Sequence, residues 1–151
     1  MRLLNRVELI GEVVAKPELR HVEQQIPLCF FRIITARNWN DQEHREQWEY
    51  EWHQIVAWGR LAEVCHAYLH KNVRVYLEGM LKTRVYQDSQ GHQHTIAEVI
   101  ASDLIILDRF DWAEQDHLPD LFEDELRQSM PYEPPVTPDA WILYNLRQQQ
   151  S

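Results

Sequence analysis

From Val73 to Tyr86 the chain alternates in character at every step. The odd positions read Val, Val, Leu, Gly, Leu, Thr, Val; the even positions read Arg, Tyr, Glu, Met, Lys, Arg, Tyr. A period of two sustained over this length is a β-strand with one face against a core. The apolar odd face must be that core face. The even face, turned outward, carries Tyr76, Met80, Lys82, Arg84 and Tyr86. Cations interleaved with rings on an exposed strand suit a single-stranded nucleic acid. The cations meet phosphates, and the rings stack on bases of any sequence.

Four more segments have strand composition, at about 5–11, 28–37, 48–58 and 96–107, each rich in Val, Ile, Leu or aromatics. Between the third and fourth strands, Leu61, Val64, Cys65, Tyr68 and Leu69 recur at helical spacing. The stretch "DSQG" (88–91) is a turn that closes the last two strands into a long hairpin. No internal repeat is visible. Five strands with one helix between strands 3 and 4 is the element order of an OB-fold, a small Greek-key barrel. The expected class is therefore all-β, a five-stranded barrel followed by an acidic C-terminal extension.

The stretch "WEYEWHQIVAW" (48–58) leaves two readings open. Trp48, Tyr50, Trp52, Val56 and Trp58 share one parity. One reading buries that face and exposes Glu49, Glu51, His53, Ile55 and Ala57, following the general tendency of rings to be inside. The other buries Ile55 and Ala57 and turns Trp52 and Trp58 outward, leaving an aromatic patch of the kind that marks a binding surface. Periodicity does not choose between them.

A net charge of −9 argues against a nucleic-acid binder until it is mapped along the chain. Residues 1–110 hold 13 Lys+Arg against 15 Asp+Glu, close to neutral; residues 111–151 hold 2 against 9. Five of the seven prolines also fall beyond residue 109. The expected division is a domain at 1–109 and a proline-containing tail at 110–151. Within the tail, "LPDLFEDEL" and "AWILYNL" are apolar enough to dock on a surface, the latter on its own barrel or on a neighbouring subunit. Cys29 and Cys65 form no CxxC pair and read as buried thiols in a reducing compartment. No apolar run reaches the length of a membrane span, and Arg2, Arg6 and Glu8 interrupt any secretory leader. We expect a cytoplasmic location.

No catalytic constellation is visible. His66 and His70 have ligand spacing on one helix, but no third ligand is near in sequence. The "HQH" run (92–94) sits in a hairpin loop, where a nucleic-acid contact and a plain exposed turn remain open. Glu49 and Glu51 have no nucleophile beside them. There is no Gly-rich phosphate loop and no Ser-His-Asp arrangement. We expect no enzyme, no metal and no cofactor.

Four strings carry a resemblance: "NRVELIG" (5–11), "EWHQIVAWGRLAEV" (51–64), "YLHKNVRVYLEGMLKTR" (68–84) and "YQDSQG" (86–91). In this order, and with all four glycines in place, they resemble the bacterial single-stranded DNA-binding protein family across about residues 5–107. The resemblance implies an OB-fold homotetramer wrapped by single-stranded DNA in replication, recombination or repair, nucleoid-associated in the cytoplasm. It implies stacking at Trp39, Trp52, Trp58 and Tyr86. The phosphate-facing cations would be Arg20, Arg60, Lys71, Lys82 and Arg84, with Arg32 as an added cation. His53 matches a histidine near the family's subunit interface.

Departures from the family pattern are specific. Gln54 and Val85 stand where basic residues are common, and each lost cation removes roughly one counterion-release contribution to binding. The first turn, "EVVAKPELR", lacks the family's small residues. The family's acidic Pro-Phe tip, which recruits replication and repair proteins, has only an internal counterpart in "DHLPDLFEDEL" (116–126). A rival reading keeps the barrel as a protein-interaction module of a primosome or mobile element, with little DNA binding. RNA binding would use the same rings. The acidic tail reads either as a solvating tether or as a competitor for a basic groove.

Overall fold

The computed structural model describes residues 2–107 and 132–149. Its elements are β1 (Val7–Val13), β2 (Glu18–Val22), a 3-10 turn (Glu23–Gln25), β3 (Ile26–Asn40), β4 (Glu46–Trp58), α1 (Arg60–Tyr68), β5 (Arg74–Gln87), β6 (Gln93–Ile106) and α2 (Ala140–Gln149). Strand β1 pairs antiparallel with both β3 and β5. Strand β5 pairs with β6, β6 runs parallel to β4, and β4 pairs with β3. The ring β1-β5-β6-β4-β3 is thus closed, a five-stranded barrel of OB topology. Closure removes sheet edges that would otherwise template aggregation.

Strand β2 is the difference from the sequence expectation. The segment after "LIG" is not only a turn; Glu18–Val22 pairs with β3 from Glu18↔Phe30 to Val22↔Ile26. Its five residues are too short to show a clear period. The boundary expected near residue 109 and the acidic segment 116–126 fall outside the described residues.

The barrel has two apolar layers. Inside it lie Val13, Cys29, Phe31, Ile33, Ile55, Ala57, Val75, Leu77 and Val99, with Ala62, Cys65 and Leu69 contributed from α1 and its C-cap. Burial pushes both thiol pKa values up to about 12, so Cys29 and Cys65 are protonated core groups. The second layer is Leu28, Phe30, Val56, Trp58, Ile100 and Ile142. Because side chains alternate along a strand, Phe30 and Phe31, or Val56 and Ala57, face opposite ways. "IVAW" is buried at all four positions because both faces are covered.

Gly79 shows how tightly the barrel closes. It sits beside a register shift between β5 and β6, and a Cβ there would lie 2.2 Å from the Ile100 carbonyl oxygen. Only glycine allows that approach.

Candidate nucleic-acid interface

Strand pairing maps the outer face row by row. Ladder partners share a face, so Leu28↔Trp58, Phe30↔Val56, Arg32↔Gln54, Ile34↔Trp52, Ala36↔Tyr50 and Asn38↔Trp48 form one continuous surface along β3 and β4. Met80↔Ile100, Lys82↔Glu98, Arg84↔Ile96 and Tyr86↔His94 continue it across β5 and β6. The second sequence reading of 48–58 therefore describes the faces: Ile55 and Ala57 enter the barrel, while Trp52 and Trp58 lie outside it. Trp58 is nonetheless only 7% exposed, for a reason the local pattern could not carry.

Both long hairpins project arms beyond the barrel. On the β3–β4 arm, Trp48 and Tyr50 stack with centroids 6.4 Å apart and planes 12° apart, next along the face from Trp52. These two rings had no assigned role in sequence; the ladder puts them in line with Trp52. On the β5–β6 arm, Tyr86 stacks on His94 at 5.3 Å. That arm ends in the expected Asp88–Gly91 turn. Asp88 Oδ1 accepts from the backbone N–H groups of Gln90 and His92, at 2.9 and 2.8 Å. Its other oxygen lies 2.8 Å from His94 Nε2, and this bond leads the causes that hold the Asp88 carboxyl below its ordinary range. Between the arms runs a groove lined by Arg32, Trp52, Gln54, Tyr86, His94 and Tyr132, among others.

Arg32 supplies the cation of this groove. Its Nε donates to Gln54 Oε1 at 3.2 Å, and Gln54 Nε2 donates to the Phe31 carbonyl at 3.2 Å. Arg32 thus stands directly across the ladder from Gln54. Arg20 stands beside the same surface, its guanidinium 5.2 Å from the Phe30 ring centroid.

Other expected contact residues are placed differently. Trp39 pairs with Gln47 and so faces the opposite side of the β3–β4 arm from Trp48 and Trp52; it is exposed, with the Arg37 guanidinium over its ring. Arg60 opens α1 and Lys71 lies in the α1–β5 turn, so neither is on the strands that carry Trp52 and Tyr86. His53 is half-buried, with Nε2 2.9 Å from Thr35 Oγ1, and burial lowers its pKa.

Lys82 and Arg84 are on the face but engaged. Arg84 Nε donates to Glu98 Oε1 at 2.8 Å and Nη2 to Oε2 at 3.2 Å, a bidentate pair on a carboxylate that is 1% exposed. Burial works against the Arg84 charge, but bonding and attraction to Glu98 outweigh it and hold its pKa above the ordinary value. Glu98 also accepts from the Tyr132 hydroxyl, and Arg84 Nη2 donates to the Glu133 carbonyl at 2.5 Å. Lys82 forms an ion pair with Asp139. Sequence alternation located both cations; it held no signal for the carboxylate opposite them, which arrives from another strand.

The model of the single-strand binding protein family matches residues 4–107. The chain belongs to that family. Among its relatives, the "Single-stranded DNA-binding protein" of Neisseria meningitidis serogroup A is 36% identical over 104 residues, covering 69% of this chain and 60% of the relative. "Single-stranded DNA-binding protein 1" of Chlorobaculum tepidum is 37% identical over 107 residues, covering 70% and 66% respectively. The match thus spans less than two thirds of these relatives' length. Among solved structures, a Plasmodium falciparum SSB complex with ssDNA superposes with a TM-score of 0.65 at 30% identity, covering 72% of this chain and 98% of that one. A deletion mutant of the Thermus aquaticus single-stranded DNA binding protein shares the fold, with a TM-score of 0.63 at 24% identity, covering 71% of this chain and 52% of that one. Beyond the matched residues, Tyr132, Ile142 and Leu146 of segment 132–149 pack against the barrel.

Proposed function

We propose that the protein binds single-stranded DNA with little sequence preference and without catalysis, in replication, recombination or repair. The observation that carries this is the groove between the arms, with Trp52 and Tyr86 among its lining and Arg32 beside them. Trp52, Tyr86 and Trp58 stack on bases, Trp48 and Tyr50 extend the row, and Trp39 offers a ring on the far side of the arm. Arg32, bonded to Gln54, and Arg20, ion-paired with Glu18 at 3.8 Å, meet phosphates as well. Arg60 and Lys71 carry the strand around the barrel, and Lys82 and Arg84 join when their present partners are exchanged. One OB-fold of this kind engages roughly 4–16 nucleotides. A homotetramer with His53 near its interface multiplies the contacts through effective concentration, and replication or repair proteins are the natural partners of the acidic tail.

The test is a titration with poly(dT), following tryptophan fluorescence at low and high salt. Quenching is expected, with an affinity that falls by roughly 0.7 logarithmic units per phosphate contact for each tenfold rise in salt. Trp52→Ala should weaken binding by about 1–3 kcal/mol while leaving the circular dichroism unchanged. Absence of quenching at low salt would refute the stacking role and favour the protein-interaction module.

A further inference from the structure

The "HQH" run at 92–94 divides its two histidines. The His92 side chain is 70% exposed, whereas that of His94 is 21% exposed and lines the groove with Trp52 and Tyr86. His94 is held on two sides: its ring stacks on Tyr86, and its Nε2 lies 2.8 Å from Asp88 Oδ2. The bond to Asp88 decides the chemistry of the ring. The His94 bond, with backbone N–H groups of His92 and Gln90, holds the Asp88 carboxyl below its ordinary range. Asp88 is therefore an ionised partner that only accepts, and Nε2 must carry the proton it donates. In a neutral imidazole the other nitrogen, Nδ1, is then a lone-pair acceptor. It has no hydrogen-bond partner among the described residues. A phosphate oxygen also offers only lone pairs, so neutral His94 cannot hold one. A proton on Nδ1 turns the same ring into a cation with a second donor, while Asp88 keeps it in place.

That proton matters because the groove holds little charge. Among the described residues that line it, Arg32 carries the one permanent charge, so a protonated His94 doubles the positive charge facing a strand. The charged and titratable groups around His94 do not duplicate this role. His53 lines the groove too, but its Nε2 lies 2.9 Å from Thr35 Oγ1 and burial lowers its pKa. Tyr132, from the segment before α2, is kept protonated by burial and its bond to Glu98. Arg84, with its guanidinium 5.2 Å from the Tyr86 ring centroid, is charged throughout and paired with Glu98. His92 shares the Asp88 carboxylate at 3.5 Å but is not part of the groove lining.

We infer that His94 is a DNA-contacting residue of this groove: its Nδ1 takes a proton from solvent and donates it to a phosphate oxygen, while Asp88 holds Nε2. This rests on the DNA-binding reading above. Strand binding is then coupled to proton uptake. Because the bound strand favours the protonated ring, the gain in affinity is fully present below the ordinary histidine value of about 6.5 and is lost as pH rises above it.

The experiment titrates the full chain with poly(dT) from about pH 8 to about pH 5.5, on either side of the histidine range. Wild-type affinity should rise about tenfold, the scale of one hydrogen bond to a charged group. The salt slope should steepen by roughly 0.7 over the same interval. Calorimetric titration in two buffers of different ionisation enthalpy should show net proton uptake on binding. His94→Phe keeps a ring beside Tyr86 but cannot take a proton, so it should flatten most of the pH profile and remove the uptake. His94→Gln gives the same comparison if Phe disturbs the hairpin, and circular dichroism checks that each variant is folded. Wild-type affinity that does not change with pH overturns the proposal and leaves the DNA-binding reading standing. So does a folded variant that keeps the full profile and the uptake. Failure of the wild type to bind at any pH overturns the DNA-binding reading, and this proposal with it.

Discussion

Glu98→Gln perturbs the centre of the outer face with almost no change in shape. The wild-type carboxylate is 1% exposed and holds a bidentate bond from Arg84, whose side chain is itself only 17% exposed, together with the Tyr132 hydroxyl. Glutamine keeps one acceptor for Arg84 but removes the charge that balances a buried guanidinium. Removing one member of a buried ion pair typically costs about 3–5 kcal/mol. The retained acceptor and the Glu133 carbonyl place the expected loss at the lower end, about 3 kcal/mol. For a barrel of this size that lowers Tm by about 12–24 °C. Binding should move the other way. A negative charge leaves the face and Arg84 loses its strongest competitor for phosphate. Affinity for poly(dT) should therefore rise at low salt, and the salt slope should steepen by roughly 0.7. Calorimetry and a salt-dependent fluorescence titration measure the two effects on the same preparation. A Tm within about 2 °C of wild type, less than one kcal/mol on this scale, would refute the claim that this pair ties β5, β6 and the 132–139 segment together. A flatter salt slope would refute the claim that Glu98 competes with DNA for Arg84.

Gly79→Ala should destabilise the barrel by about 1–3 kcal/mol, because the new Cβ meets backbone, which cannot move aside as a side chain can; chemical denaturation measures it. For His53, burial lowers the folded-state pKa, so the unfolded chain binds a proton more readily. Its contribution is fully present above the ordinary histidine value of about 6.5 and is lost as pH falls through and below it. His53→Gln should flatten the loss of stability as pH falls below about 6.5; an unchanged pH dependence of denaturation would contradict the assignment.

The barrel was largely legible in the chain because strand period, turn chemistry and one amphipathic helix are local signals. Val73–Val85 declares its core face through alternation, and "DSQG" declares its turn through Asp88 and Gly91. The candidate site was legible only in part. Arg84 and Lys82 stood out as exposed cations, but Glu98 joins them from a strand 14 residues further on. Trp39 was grouped with Trp52 by resemblance, yet the ladder turns it to the other face of its arm. Trp48 and Tyr50 had no assigned role until the register aligned them with Trp52.

Trp58 draws the line most sharply. Sequence by itself determined that it lies on one strand face with Val56 and opposite Ala57, because pleating leaves no choice once that strand forms. Whether that face is core or surface depends on what comes to rest against it. Here the answer is Ile142 and Leu146, more than 80 residues away in the chain. Burial is a property of packing between distant segments. Only the tertiary structure could show a ring on the outside of a barrel and yet covered.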